Sequence, residues 1–140
     1  MVDWKLFAFG SAFFAGLTAI LAKIGVKNVS SNLATLIRTI VIIVFLGALV
    51  AVRKEWKNPL SIDRHSLIFL VLSAIATGLS WICYFRALQT GPASLVAPID
   101  KLSIVFAIIL ALIFLGERLS GYQWLGVSLI VAGVFTILFK

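Results

Sequence analysis

The chain has 140 residues, 62% of them hydrophobic and 12% charged, and its mean hydropathy is +1.16. Soluble domains are about half apolar and about a quarter charged, so a water-soluble globule is excluded, because it would leave large apolar patches facing water. The net charge of +7 would suggest a nucleic-acid partner on a soluble protein, but in a chain destined for lipid basic residues serve as topology signals and interfacial anchors.

A bilayer core is crossed by about 20 consecutive apolar residues. Five such stretches follow one another, at about 4–24, 33–52, 66–88, 93–116 and 121–139. The expected fold is therefore all-α, an integral membrane bundle of five transmembrane helices forming one domain over 1–140. The first stretch does not read as a cleavable signal, since it lacks a clustered basic start and a small-x-small exit. It steps Ala8, Ala12 and Gly16 along one face. Ser30-Ser31-Asn32 caps the second stretch, which contains Arg38, and Asn58-Pro59 breaks the one long connection, where His65 is expected as a solvated loop residue. The third stretch pairs Ala74 with Gly78 and carries Trp81, Tyr84 and Phe85 toward its end. Gly91-Pro92 separates it from the fourth, with Pro92 suited to a helix's first turn. Ser103, Ala107 and Ala111 step by four along that fourth stretch. Ser120 and Gln123 have the spacing of a capping box opening the fifth, where Gly126 and Gly133 lie seven apart. Small residues at these spacings let membrane helices approach closely. Gly16, Gly78, Ser103, Ala107, Gly126 and Gly133 are the packing candidates.

Five spans put the termini on opposite sides. The half on the N-terminal side (side A) holds Lys5, Arg53, Lys54, Lys57, Arg64 and Arg118 against Asp3, Glu55, Asp63 and Glu117. The other half (side B) holds Lys23, Lys27, Arg38, Arg86, Lys101 and Lys140 against Asp100 alone. Counting only loops and helix ends drops Arg38 and Lys101 and leaves six basic residues against four. The bias toward a cytoplasmic side A is thus weak, and insertion in both orientations is open. Trp4, Trp56, Tyr122 and Trp124 gather near the side A boundary as an interfacial belt. Trp81 and Tyr84 are read either as anchors or as the wall of a cavity.

The fourth stretch contains residues that lipid disfavours. Lys101 lies about 12 Å in from side B, and Asp and Lys near a span's centre cost roughly 2.5–3.5 kcal/mol each. Helical neighbours point about 100° apart, so Asp100 and Lys101 are expected to need separate partners. Pro98 cannot donate to the carbonyl of Ser94, which frees a backbone acceptor one turn earlier. Such irregular backbone is tolerated at depth where it lines a cavity or is buried in protein. Asp100, Lys101, Arg38, Trp81, Tyr84 and Pro98 are accordingly the substrate-binding or gating candidates. An ion pair between helices, such as Arg38 with Asp100, is the competing reading. Lys23 and Arg86 lie nearer the boundary and are expected to snorkel. The single Cys83 excludes an intrachain disulfide, no metal site or cofactor is expected, and no nucleophile–base pair converges in the spans.

The run Thr90-Gly91-Pro92-Ala93-Ser94-Leu95-Val96-Ala97-Pro98-Ile99-Asp100-Lys101-Leu102-Ser103, then Leu115-Gly116-Glu117-Arg118-Leu119-Ser120 and Gln123-x-x-Gly126-x-x-Leu129-Ile130-x-x-Gly133, resembles the EamA domain of the drug/metabolite transporter superfamily. The length resembles its small five-helix bacterial/archaeal transporter family. That resemblance implies half of an inverted-repeat ten-helix transporter, paired with a second copy of itself in inverted orientation or with a related chain. It further implies a multi-pass protein of the cell (inner) membrane that moves a small-molecule solute by alternating access. Transporters of this general plan place substrate near the midplane at broken helices, which would turn the Pro98–Lys101 region toward the cavity. The related four-helix multidrug exporters use a glutamate in their first helix. The first span here has no acid between Trp4 and Ile24, so their proton-coupled cation mechanism does not carry over.

The expected function is thus a transporter protomer, not an enzyme, with the lipid bilayer, a second chain and a solute as partners and no nucleic acid. The excess of cations on side B favours an anionic or zwitterionic solute. A structural or assembly membrane subunit, whose intramembrane charges pair helices, is the alternative.

Overall fold

A computed structural model describes residues 3–58 and 61–139. Pro59, the expected loop breaker, and Lys140 lie outside the described residues. The helices in chain order are α1 (Trp4–Gly25), α2 (Ser31–Val52), α3 (Arg64–Thr90), α4 (Ala93–Asp100), α5 (Ser103–Leu110), a π-helical turn (Ala111–Leu115) and α6 (Gly121–Leu138). No strand occurs among the described residues, and five helical stretches are long and apolar enough to cross a membrane.

Local chemistry sets the ends of these helices. The Ser30 hydroxyl accepts from the Leu33 N–H at 3.4 Å and the Ser30 carbonyl from Ala34 N–H at 2.9 Å, so α2 begins two residues before its apolar run. The Asp63 carboxylate accepts from the Ser66 N–H at 3.2 Å, which starts α3 at Arg64. His65 therefore sits in a first helical turn instead of a loop, still exposed, with its ring 4.6 Å from that of Phe69. Pro92 takes the N-cap of α4, one place ahead of the expected first turn. Gln123 Oε1 accepts from the Ser120 N–H at 2.7 Å, the reach-back of the expected capping box. Gly116 closes the fourth span with φ +65°, a left-handed conformation that a Cβ disfavours.

The fourth span is one crossing built from three pieces. Pro98 removes one ladder hydrogen bond, and the chain tightens directly after it. Lys101 N–H donates to Pro98 carbonyl at 3.0 Å and Leu102 N–H to Ile99 carbonyl at 2.9 Å, an i→i+3 pattern. The helix resumes at Ser103 and then widens to π geometry at Ala111.

The chain divides into two compact units, residues 1–20 with 91–140 and residues 21–90. In the first, α4 and α5 pack on α6, and Val96 and Val134 are buried. In the second, α2 packs on α3, and Ala22, Val26, Phe85 and Leu88 are buried together with Ser31 and Thr35. Thr35 and Thr39 return their hydroxyl protons to the carbonyls four residues back, Ser31 at 2.8 Å and Thr35 at 2.9 Å, so neither is left unpaired in lipid.

Almost everything else faces outward. Phe7, Phe9, Phe13 and Phe14 of α1 are exposed, as are Ile40, Val41, Val44 and Phe45 of α2. No more than 11% of the apolar window of any span is buried. Such surface must be covered by lipid or by protein.

Candidate functional site

Arg38 lies seven residues into α2, about 10 Å along the helix from its start. Its guanidinium stands over two rings of α3, 5.0 Å from the centroid of Trp81 and 4.7 Å from that of Phe85. The rings are four residues apart and so share one face of α3. Phe85 is fully buried, and Tyr84 packs edge-on against it at 6.2 Å. Both distances fall inside the range of a cation–π contact. The guanidinium sits over the aromatic wall, while the acids of residues 21–90, Glu55 and Asp63, belong to the side A connection. Arg38, Trp81 and Tyr84, singled out separately by sequence, thus form one cluster.

The second cluster is the break in the fourth span. Lys101 Nζ lies 3.6 Å from Asp100 Oδ2, which corrects the expectation that these neighbours need separate partners. The rule of 100° per residue holds inside a regular helix, and Lys101 is the first residue beyond α4. The side chains stay partly exposed, at 52% for Lys101 and 37% for Asp100. Pro98 is half-buried at the start of the tightened turn. This arrangement leaves a carboxylate and an ammonium side by side and partly exposed.

The helix-packing candidates are placed differently. A Cβ added at Gly16, Gly78, Gly126 or Gly133 would meet no atom within 4 Å, and Ser103 and Ala107 are exposed. Among the described residues, these small-residue stripes remain open.

A third cluster escaped sequence reasoning. At the side B end of residues 21–90, Lys23 Nζ donates to the Leu88 carbonyl in the last turn of α3. Gln89 Nε2 donates to Val29 carbonyl at 2.6 Å and Val26 carbonyl at 3.4 Å, just past the end of α1. Each helix end supplies a side chain to backbone acceptors beside the other, and helix C-termini otherwise leave their last carbonyls unsatisfied. Lys23 is therefore half-buried and committed to the backbone, in place of the free snorkelling expected of it. The available signal was Lys23 and Gln89 lying within two residues of the C-terminal ends of α1 and α3, which share a side. No group of His, Cys, Asp and Glu suited to a metal occurs among the described residues.

The EamA-like transporter family model matches residues 3–139. A Sinorhizobium sp. protein described as an uncharacterized transporter in the cobO 3' region is 49% identical over 135 residues, 96% of each chain. A probable 4-amino-4-deoxy-L-arabinose-phosphoundecaprenol flippase subunit, ArnE of Salmonella newport, is 28% identical over 69% of this chain and 94% of its own length. RarD of Salmonella typhi is 35% identical over 64% of this chain but only 31% of its own length. No solved structure matches.

Proposed function

The chain belongs to the EamA-like transporter family, and on that premise we propose that it is half of a transporter, working by alternating access as an antiparallel dimer in the cell (inner) membrane. The single transmembrane domain of residues 1–140 pairs with an inverted copy or a related chain through the open small-residue stripes on its spans. Pairing is supported by a shorter relative, ArnE, being named a flippase subunit. The solute is anionic or zwitterionic. The observation that carries this is Arg38, a cation held over Trp81 and Phe85 at membrane depth with no carboxylate in the spans of its own unit. Asp100 and Lys101 offer the opposite charges of a polar solute or a gate, Pro98 keeps their segment out of regular helix, and Trp81 and Tyr84 form part of the wall. We assign no catalytic step and no cofactor.

Flux of a broad panel of labelled metabolites into proteoliposomes tests the reading, with wild type set against Arg38→Gln and Lys101→Ala. The expected result is uptake of anionic or zwitterionic solutes that falls at least tenfold in both variants. Absence of uptake across the panel would leave the assembly-subunit alternative.

A further inference from the structure

Residues 21–90 hold a cavity of about 610 Å³ at the side B boundary, lined by Lys23, Ile24, Val26, Lys27, Leu88 and Gln89. The volume lies within the usual range of ligand sites. The lining is divided, with two ammonium groups and an amide against three apolar side chains. Arg86 is tied to the same wall, its Nη1 donating to Gln89 Oε1 at 3.4 Å. Two cations therefore line the opening, and a third is hydrogen-bonded to its wall.

Opposing charges are few. The carboxylates of residues 21–90, Glu55 and Asp63, lie in the side A connection. The C-termini of α1 and α3 point their dipoles here, each worth about half a negative charge. Against three full positive charges, those dipoles leave an excess of about two. Gln89 has both ends engaged, Nε2 on the Val29 and Val26 carbonyls and Oε1 on Arg86. That holds Arg86 at the wall. Lys27 is the second residue beyond α1, four residues after Lys23, and is exposed.

We propose that this cavity is a binding site for a phosphate-type anion at the membrane surface, with Lys27 and Arg86 as its principal ligands and Lys23 as a fixed positive wall. Its half-apolar lining suits a phosphoryl group attached to a hydrophobic body, as in an anionic lipid headgroup. The cluster lies at the end of the spans, so occupation does not require transport and is measured apart from it.

The test is lipid retention by native mass spectrometry of the detergent-purified protein titrated with phosphatidylglycerol or phosphatidylcholine. Wild type is expected to retain phosphatidylglycerol preferentially. One Lys or Arg near an anionic surface contributes on the order of fivefold in affinity, so Lys27→Gln and Arg86→Gln are each expected to weaken retention about fivefold or more. Lys57→Gln, in the side A connection, serves as the control and is expected to leave retention unchanged. Neither Lys27→Gln nor Arg86→Gln removes a backbone cap, and unchanged helical circular dichroism verifies folding. Millimolar inorganic phosphate separates the sources: displacement of the lipid assigns the site to soluble phosphate groups as well, and persistence assigns it to the headgroup. Equal retention of the two lipids, or equal loss in Lys57→Gln and Lys27→Gln, would overturn the site and leave general surface electrostatics.

Discussion

The cation–π cluster allows a quantitative test through a double-mutant cycle between Arg38→Gln and Trp81→Leu. A guanidinium contact is worth about 0.5–1 kcal/mol when exposed and about 2 kcal/mol when desolvated. Arg38 is half-buried and its guanidinium lies 5.0 Å from the Trp81 centroid, so this contact belongs between those limits. The expected coupling energy is about 1 kcal/mol, with a similar value for Arg38→Gln against Phe85→Leu. Phe85 is fully buried, so Phe85→Leu alone also loses packing, which the cycle subtracts. Arg38→Lys should retain part of the coupling, because an ammonium keeps the charge but lacks the planar face. Reversible unfolding in mixed micelles of dodecyl maltoside and increasing dodecyl sulfate, followed by helical circular dichroism, supplies the four free energies of each cycle. Coupling below about 0.3 kcal/mol in both cycles would show that Arg38 only passes near the rings, and the aromatic wall would lose its role in holding the charge at depth.

Three further outcomes are expected. Gln89→Leu should destabilise the protein by about 1–3 kcal/mol in the same unfolding assay, since it leaves the Val29 carbonyl without its 2.6 Å partner. Pro98→Ala returns a donor to the Ser94 carbonyl, so melting temperature should rise while solute flux falls, and a rise in both would separate the break from transport. Reporter fusions at the C-terminus should be active on both sides of the membrane, and Glu55→Lys together with Asp63→Lys should shift the population toward side A in the cytoplasm. Activity on one side only in the wild type would point to a related chain as the inverted partner.

The spans were legible because hydropathy is summed over about 20 residues and survives local irregularity. Their ends depended on single caps, and Asp63 moved the start of α3 outward by engaging Ser66 from three residues away. In the fourth span, the loss at Pro98 was readable, but the tightened turn at Lys101 and the π-helical widening at Ala111 were not. A missing donor does not say what pitch the chain takes after it, and residues 104–115 are uniformly apolar and mark no change of pitch. The site was legible residue by residue and not as an assembly. Arg38, Trp81 and Tyr84 each stood out as polar or aromatic groups at depth, yet the pairing of α2 with α3 that joins them is a tertiary fact. Lys23 was misread because snorkelling assumes that water is the best available acceptor, whereas the end of α3 supplied a carbonyl.

The reciprocal closure at side B also has a history in time. Gln89 reaches the Val29 carbonyl across 60 residues of sequence, and a ribosome adding about 5–20 residues per second needs roughly 3–12 s to make them. Throughout that interval the turn after α1 must rely on interfacial water or insertion machinery for its carbonyls. This closure is finished only when the third span has been delivered, so a nascent chain stopped after two spans carries an open seam that quality control can recognise.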